Sequence, residues 1–242
     1  MAKTKEISID KLLIHPNNVR KSYRDISELT ASIREVGILQ NLTVVPVPEE
    51  DGLYYVVIGN RRLQAAKKAG LATVPCVIAE MDEADQALTM LTENLQRNDL
   101  TIIEEAAGYQ MCFSDFGIDV GTLAKKTGFS KTTVRHRLNV AKLDQDVLQE
   151  KLDDPSFQLS FTDIQRLERI RSIDKRNEVL EKAEDSRDLD WMVEQAVKDE
   201  ELERRQKKMV ALAKKESIPA APQEVISEQY FRTRWDLLLN LT

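Results

Sequence analysis

The stretch that most constrains this chain is an apolar run, Leu53 to Ile58, that stops at Gly59 and turns at once into a helical pattern, Asn60-Arg61-Arg62-Leu63-Gln64-Ala65-Ala66. A strand that turns on a glycine into a helix builds an α/β layer. The same geometry suits a phosphate. Glycine lets the backbone come close to a ligand, and the first helical turn offers N–H groups at the positive end of a dipole. Arg61 and Arg62 add planar forks that match phosphate oxygens. Turn chemistry alone, with two solvated arginines, would give the same pattern.

The flanking segments extend that layer. Ile7-Ser8-Ile9 alternates and reads as a short strand, and Lys11 to Ile14 runs into a turn at His15-Pro16-Asn17-Asn18. Asp25 to Val36 reads as a helix opened by an Asp25/Glu28 capping box and ended by Gly37. Leu42 to Val47 and Leu53 to Ile58 read as a hairpin, and Val74 to Ala79 as a further strand. Asp85 to about Arg97 is helical, with Ala87, Leu88, Leu91 and Leu95 at core spacing. Near its end, Glu93 and Asn94 offer hard oxygen ligands suited to Mg²⁺. Arg97 lies four residues beyond Glu93, so an ordinary helical ion pair explains the same residues.

Charge is unevenly distributed. The chain carries a net −6, yet Val120 to Lys142 holds six basic groups and no acid. Within it, Gly128-Phe129-Ser130 forms a turn between two helical patterns, and Ser130 can cap the second. That second helix opens Lys131-Thr132-Thr133 and continues through Arg135, His136 and Arg137, with Val134 and Leu138 facing inward. Helix, glycine turn and basic second helix match a DNA-binding helix-turn-helix. Ser130, Lys131, Thr132, Thr133, Arg135, His136 and Arg137 are the residues expected on DNA; the bland alternative is a helical hairpin with a solvated basic face. Thr101 with Glu104 forms a capping box for the helix before it.

Beyond Asp153-Asp154-Pro155, Thr162 to about Ala183 and Asp188 to about Lys215 read as two charged helices. Leu167, Ile170, Ile173, Val179 and Leu180 supply one apolar face, and Trp191, Met192, Val197 and Leu202 another. Ile218 to Pro222 reads as a linker. The apolar end, Gln229 to Leu241, can dock on its own domain or on a second copy.

Composition narrows the class. Eight glycines and 5% aromatic residues argue against an all-β fold, while 31% charged residues suit helices. No run approaches the roughly 20 apolar residues of a membrane span, and no signal peptide is visible. Two histidines make a zinc site improbable, and Cys76 and Cys112 read as reduced core thiols. The expected fold is α+β and mostly helical. A small mixed-sheet α/β domain (1–92) precedes an all-α helix-turn-helix domain (93–160), a helical extension (161–215), and a linker with an apolar segment (216–242).

Three elements stand in order: Gly59-Asn60-Arg61-Arg62 with Ala65, then Glu93-Asn94-Leu95-Gln96-Arg97, then the helix-turn-helix. This order resembles the ParB family of chromosome and plasmid partition proteins, as do Ser32 to Gln40 with Leu42-Thr43-Val44, and Asn98-Asp99-Leu100 leading into Ile103 to Ala106. The resemblance implies a homodimeric clamp on double-stranded DNA that binds CTP and Mg²⁺. It implies nucleotide contacts at Gly59, Asn60, Arg61, Arg62, Gln40 and Arg97, and metal contacts at Glu93 and Asn94. It also implies a cytoplasmic protein on the nucleoid or a plasmid.

The chain departs from the family pattern at three points. Asn60 stands where the family usually has glutamate, a residue linked to hydrolysis, so CTPase turnover should be weak or absent. The family's partner is a ParA-type ATPase, but a basic N-terminal arm that would stimulate it is not evident. A basic C-terminal dimerisation domain is not evident either, which fits a plasmid, phage or mobile-element member. Two other readings use the same residues: a helix-turn-helix transcription regulator without nucleotide dependence, and a metal-dependent nuclease using Glu93 with Asp99. Reductase chemistry would need a cysteine at the phosphate motif, and none is there.

Overall fold

Alternation of buried residues lays down the sheet. The computed structural model of the chain describes residues 4–18, 25–96, 100–157 and 159–215. Strands β1 (Thr4–Ser8), β2 (Leu12–Ile14), β3 (Leu42–Pro46), β4 (Tyr54–Ile58) and β5 (Thr73–Ile78) form one sheet in the order β1-β5-β3-β4-β2. β1/β5 and β3/β4 pair antiparallel, while β3/β5 and β2/β4 pair parallel, so the sheet is mixed. The β3–β4 hairpin forms as expected, with Val44 opposite Val56.

Helices α1 (Ser27–Val36) and α2 (Asn60–Ala69) cover one sheet face, where Leu12, Ile33, Leu42, Val44, Val56, Leu63, Val74 and Cys76 make a core. Val45 and Val57 alternate to the other face and meet Met90 of α3 (Glu83–Gln96). Each buried valine contributes about 1.5–3 kcal/mol.

α3 has a second apolar face. Ala87, Leu88 and Leu91 pack with Tyr109 and Cys112 of α4 (Ile102–Ser114), Leu123 and Ala124 of α5 (Val120–Thr127), and Val134 and Leu138 of α6 (Lys131–Val140). One helix therefore belongs to both the sheet core and the helix-turn-helix core, and residues 92 and 93 lie inside it, near its C-terminal end. Burial pushes the Cys76 and Cys112 thiols up to about 11, so both stay protonated core groups at neutral pH.

A third core joins α7 (Gln145–Asp153), α8 (Phe161–Leu167), α9 (Ile173–Lys182) and the 30-residue α10 (Ser186–Lys215). Buried Asp163 accepts from the Ser160 hydroxyl at 2.6 Å, Arg166 at 2.9 Å and the Ser186 hydroxyl at 2.8 Å, which ties α8 to α10.

Several sequence expectations need correction. Asp25 does not box with Glu28. It accepts from the Ser27 N–H at 2.9 Å and forms a local turn, and no side chain caps α1. The turn at His15 to Asn18 forms as expected, with the Asn18 N–H donating to the His15 carbonyl at 3.0 Å, and the residues before it are a 3-10 turn at Ile9–Lys11 followed by β2. The single helix expected from Thr162 to Ala183 is two. Glu200 of α10 accepts from the N–H groups of Arg171 and Ser172 at 2.8 and 2.9 Å, and Ser172 caps α9 afresh.

Trp191 and Leu202 do not face the core; Leu189 and Val193 do, and Trp191 is 62% exposed. At about 100° per residue, Trp191 and Leu202 sit roughly 200° and 220° around the helix from Leu189. Asp144 caps α7, a helix with no counterpart in the sequence expectation. Arg97 and the C-terminal segment 216–242 lie outside the described residues.

Candidate functional site

The glycine turn performs as its sequence suggests. Gly59 sits at φ +103°, and a Cβ there would lie 3.2 Å from both the Leu42 Cγ and the Arg62 Cζ. Glycine is needed for the conformation and for the approach of the Arg62 side chain. No side chain caps α2, so the N–H groups of its first turn are presented at the helix start. Arg62 folds back over Gly59 and donates to the Asn41 carbonyl at 2.6 Å and to the Gln40 carbonyl. Asn60 donates through Nδ2 to the Val56 carbonyl at 3.2 Å, while its Oδ1 is buried and accepts no hydrogen bond.

Beside this turn lies a cleft of about 550 Å³. Gln40, Ile58 and Arg62 form one wall, and α3 forms another through Asp85, Leu88, Thr89, Thr92, Glu93 and Gln96. Those positions recur at helical spacing, so a single polar stripe of α3 faces the cleft. Lys126 of α5 completes the lining.

Of the residues expected on nucleotide and metal, Gln40, Arg62 and Glu93 converge on this cleft. Gly59, Asn60 and Arg61 start the helix next to Arg62 but do not line it. Asn94 is buried in the core, 6% exposed, and does not line the cleft either. Sequence reasoning missed Asp85, Thr89, Thr92, Gln96 and Lys126. The stripe at 85, 89, 92, 93 and 96 was the available signal.

The donor set fits a magnesium-bound polyphosphate. Mg²⁺ is held through one or two carboxylates plus phosphate oxygens and water. Asp85 and Glu93 are eight residues apart on α3, about 12 Å of helical rise, so they cannot share one ion directly. A cleft with Arg62 and Lys126 among carboxylates suits a ligand that carries both signs.

The helix-turn-helix closes as expected. Gly128 ends α5 at φ +81°. Ser130 accepts from the Thr133 N–H at 3.0 Å and caps α6. Ser130, Lys131, Thr132 and Arg135 are exposed on one side, with Thr133 half-buried beside them. Two expected DNA residues point elsewhere. His136 donates through Nδ1 to the Glu168 carboxylate at 2.9 Å, and Asn139 joins it at 3.1 Å. Arg137 is mostly buried, with Nε 2.8 Å from the Glu105 carboxylate and the guanidinium 4.1 Å from the Phe161 ring centroid. Both engage their own chain.

An α/β unit sharing a helix with a helix-turn-helix defines a class of helix-turn-helix proteins that carry an N-terminal α/β module. The ParB N-terminal domain profile matches residues 1–95 and the ParB HTH domain profile residues 98–187. The chain belongs to the ParB family.

The chromosome-partitioning protein ParB of Caulobacter vibrioides is 35% identical over 146 residues, covering 60% of this chain and 48% of that protein. The nucleoid occlusion protein of Bacillus cytotoxicus is 35% identical over 150 residues, covering 61% and 51%. The chain thus spans about half the length of the curated relatives it matches. Among solved structures, C-terminally truncated ParB from Caulobacter crescentus complexed to the centromeric parS site is similar at TM-score 0.55 and 26% identity. That likeness covers 79% of this chain and 100% of the other.

Proposed function

We propose that the chain is a sequence-specific, partition-type DNA-binding protein whose N-terminal unit binds CTP with Mg²⁺ and gates a homodimeric clamp on double-stranded DNA. It works in the cytoplasm, on a nucleoid or plasmid. One observation carries the reading: Gln40, Arg62 and Glu93, separated by up to 53 residues of sequence, line one cleft beside an uncapped helix start. CTP is the nucleotide that the family resemblance implies. The parS-bound relative supports the DNA half of the reading.

In this account the α2 start, with Arg61 and Arg62, holds phosphates, and Arg62 fixes the loop that closes one wall. Glu93 holds the metal, with Asn94 and Arg97 assigned by resemblance. Mg²⁺, when bound, neutralises phosphate charge and orients the chain of phosphates. Ser130, Lys131, Thr132, Thr133 and Arg135 face DNA, and α3 couples the unit at 1–92 to that at 93–160. Asn60 can accept a hydrogen bond from water but cannot take its proton, so turnover is slow.

The test is retention of the full chain on closed DNA circles carrying a cognate site, with each of the four triphosphates and Mg²⁺. Retention with CTP alone is expected. Site-specific binding that no triphosphate changes would identify a plain helix-turn-helix regulator.

A further inference from the structure

Among the described residues, Lys126 is the one residue of α4, α5 and α6 that lines the cleft. It lies in the last turn of α5, where Leu123 and Ala124 are buried against Ala87, Leu88 and Leu91 of α3. Its backbone is therefore held fixed relative to the α3 stripe that carries Glu93. Its side chain is exposed and makes no ion pair or hydrogen bond among the described residues. A lysine in a last helical turn also offsets the helix dipole. Lys125, its neighbour in that turn, can do the same, but it does not line the cleft.

Charge balance makes Lys126 more than a solvated end group. The described lining carries two carboxylates, Asp85 and Glu93, against Arg62 and Lys126. Arg62 is already committed in part to the carbonyls of Gln40 and Asn41. A polyphosphate entering the cleft meets Lys126 as its other cation, on the opposite structural unit.

We propose that Lys126 is a phosphate ligand of the bound nucleoside triphosphate, so that the first helix of the helix-turn-helix forms part of the nucleotide site. This rests on the reading of the cleft as a nucleotide site. A phosphate bridging Arg62 and Lys126 holds α5 in place. α6 follows α5 through Gly128 to Ser130, so nucleotide and DNA then share one structural element. By linkage, whatever DNA does to nucleotide affinity the nucleotide does to DNA affinity.

The experiment is an equilibrium titration of the full chain with CTP and with CMP, both with Mg²⁺, for the parent, Lys126→Ala, Lys126→Arg and Lys125→Ala. Loss of one charge-assisted phosphate contact should raise the CTP Kd of Lys126→Ala about tenfold. CMP affinity should be unchanged, and Lys126→Arg and Lys125→Ala should stay near the parent. Unchanged DNA affinity without nucleotide and an unchanged Tm would show that the site, not the fold, was altered.

A parent that binds CTP and a Lys126→Ala variant that binds it equally well would overturn the assignment alone. An equal loss in Lys125→Ala would overturn it too, by reducing the effect to general surface charge. A parent that fails to bind CTP would overturn the nucleotide reading and this inference together.

Discussion

Arg62 donates to the backbone carbonyl of Asn41 at 2.6 Å, across a glycine whose replacement would put a Cβ 3.2 Å from the same guanidinium carbon. The arginine motif is therefore also a bracket for the loop at residues 37–41. Arg62→Ala removes a cation and the loop anchor together, at a cost of about 1.5–3 kcal/mol for charged hydrogen bonds. CTP affinity is expected to fall at least about tenfold. Gly59→Ala, strained at φ +103°, should cost about 1–3 kcal/mol in urea unfolding while leaving the charge unchanged. Equal stability of Gly59→Ala and the parent would contradict the described turn.

Arg135 and Arg137, two residues apart, should fail in different assays. Arg135 is exposed midway along α6, and Arg135→Ala should cost about 1–3 kcal/mol of specific DNA affinity with Tm unchanged. Arg137 pairs with Glu105 and covers Phe161, so Arg137→Ala should lower stability by about 1–3 kcal/mol. Thermal melts beside a DNA titration separate the two. A parent-like Tm for Arg137→Ala would show that its contacts carry no stability.

His15 sets a pH dependence. Burial lowers its pKa below the ordinary 6.5, against the raising effect of its Gln86 bond. The Asn17 N–H donates to Nδ1 at 3.1 Å, so the proton sits on Nε2, which donates to Gln86 Oε1 at 2.9 Å. The folded state favours the neutral ring more than the unfolded chain does. Stability is thus present above pH 6.5 and is lost as pH falls from there through the folded pKa. His15→Gln should flatten that part of the curve of unfolding free energy against pH. An unaltered slope would contradict the assignment.

Asn60 is the position at which nucleotide binding and turnover are expected to part. Its Nδ2 serves the Val56 carbonyl, so a glutamate there loses a donor bond of about 0.5–1.5 kcal/mol while gaining a group able to take a proton. Phosphate release is expected to be slow in the parent and faster in Asn60→Glu. Turnover that drops in the variant would contradict a hydrolytic role for a carboxylate at this position.

What was legible in the sequence was local. The β3–β4 hairpin, the Thr101/Glu104 box and the Ser130 cap each depend on neighbours within a few residues, and all form. The mixed sheet followed from short apolar runs around one glycine turn. Tertiary partners hid the rest. Nothing near Ser172 announces that Glu200, 28 residues on, will take its N–H and split a helix. Arg137 reads as a DNA contact from local charge, and only the fold brings Glu105 and Phe161 to it. Asp85, Thr89, Thr92 and Gln96 look like a solvent face until Arg62 and Lys126 stand opposite.

Nucleotide binding at the Arg62 cleft is tested most directly by calorimetric titration of the full chain with CTP and Mg²⁺, alongside Arg62→Ala. Saturable binding by the parent is expected, weakened at least about tenfold in Arg62→Ala. No heat of binding from the parent up to millimolar CTP, or equal binding by Arg62→Ala, would contradict it.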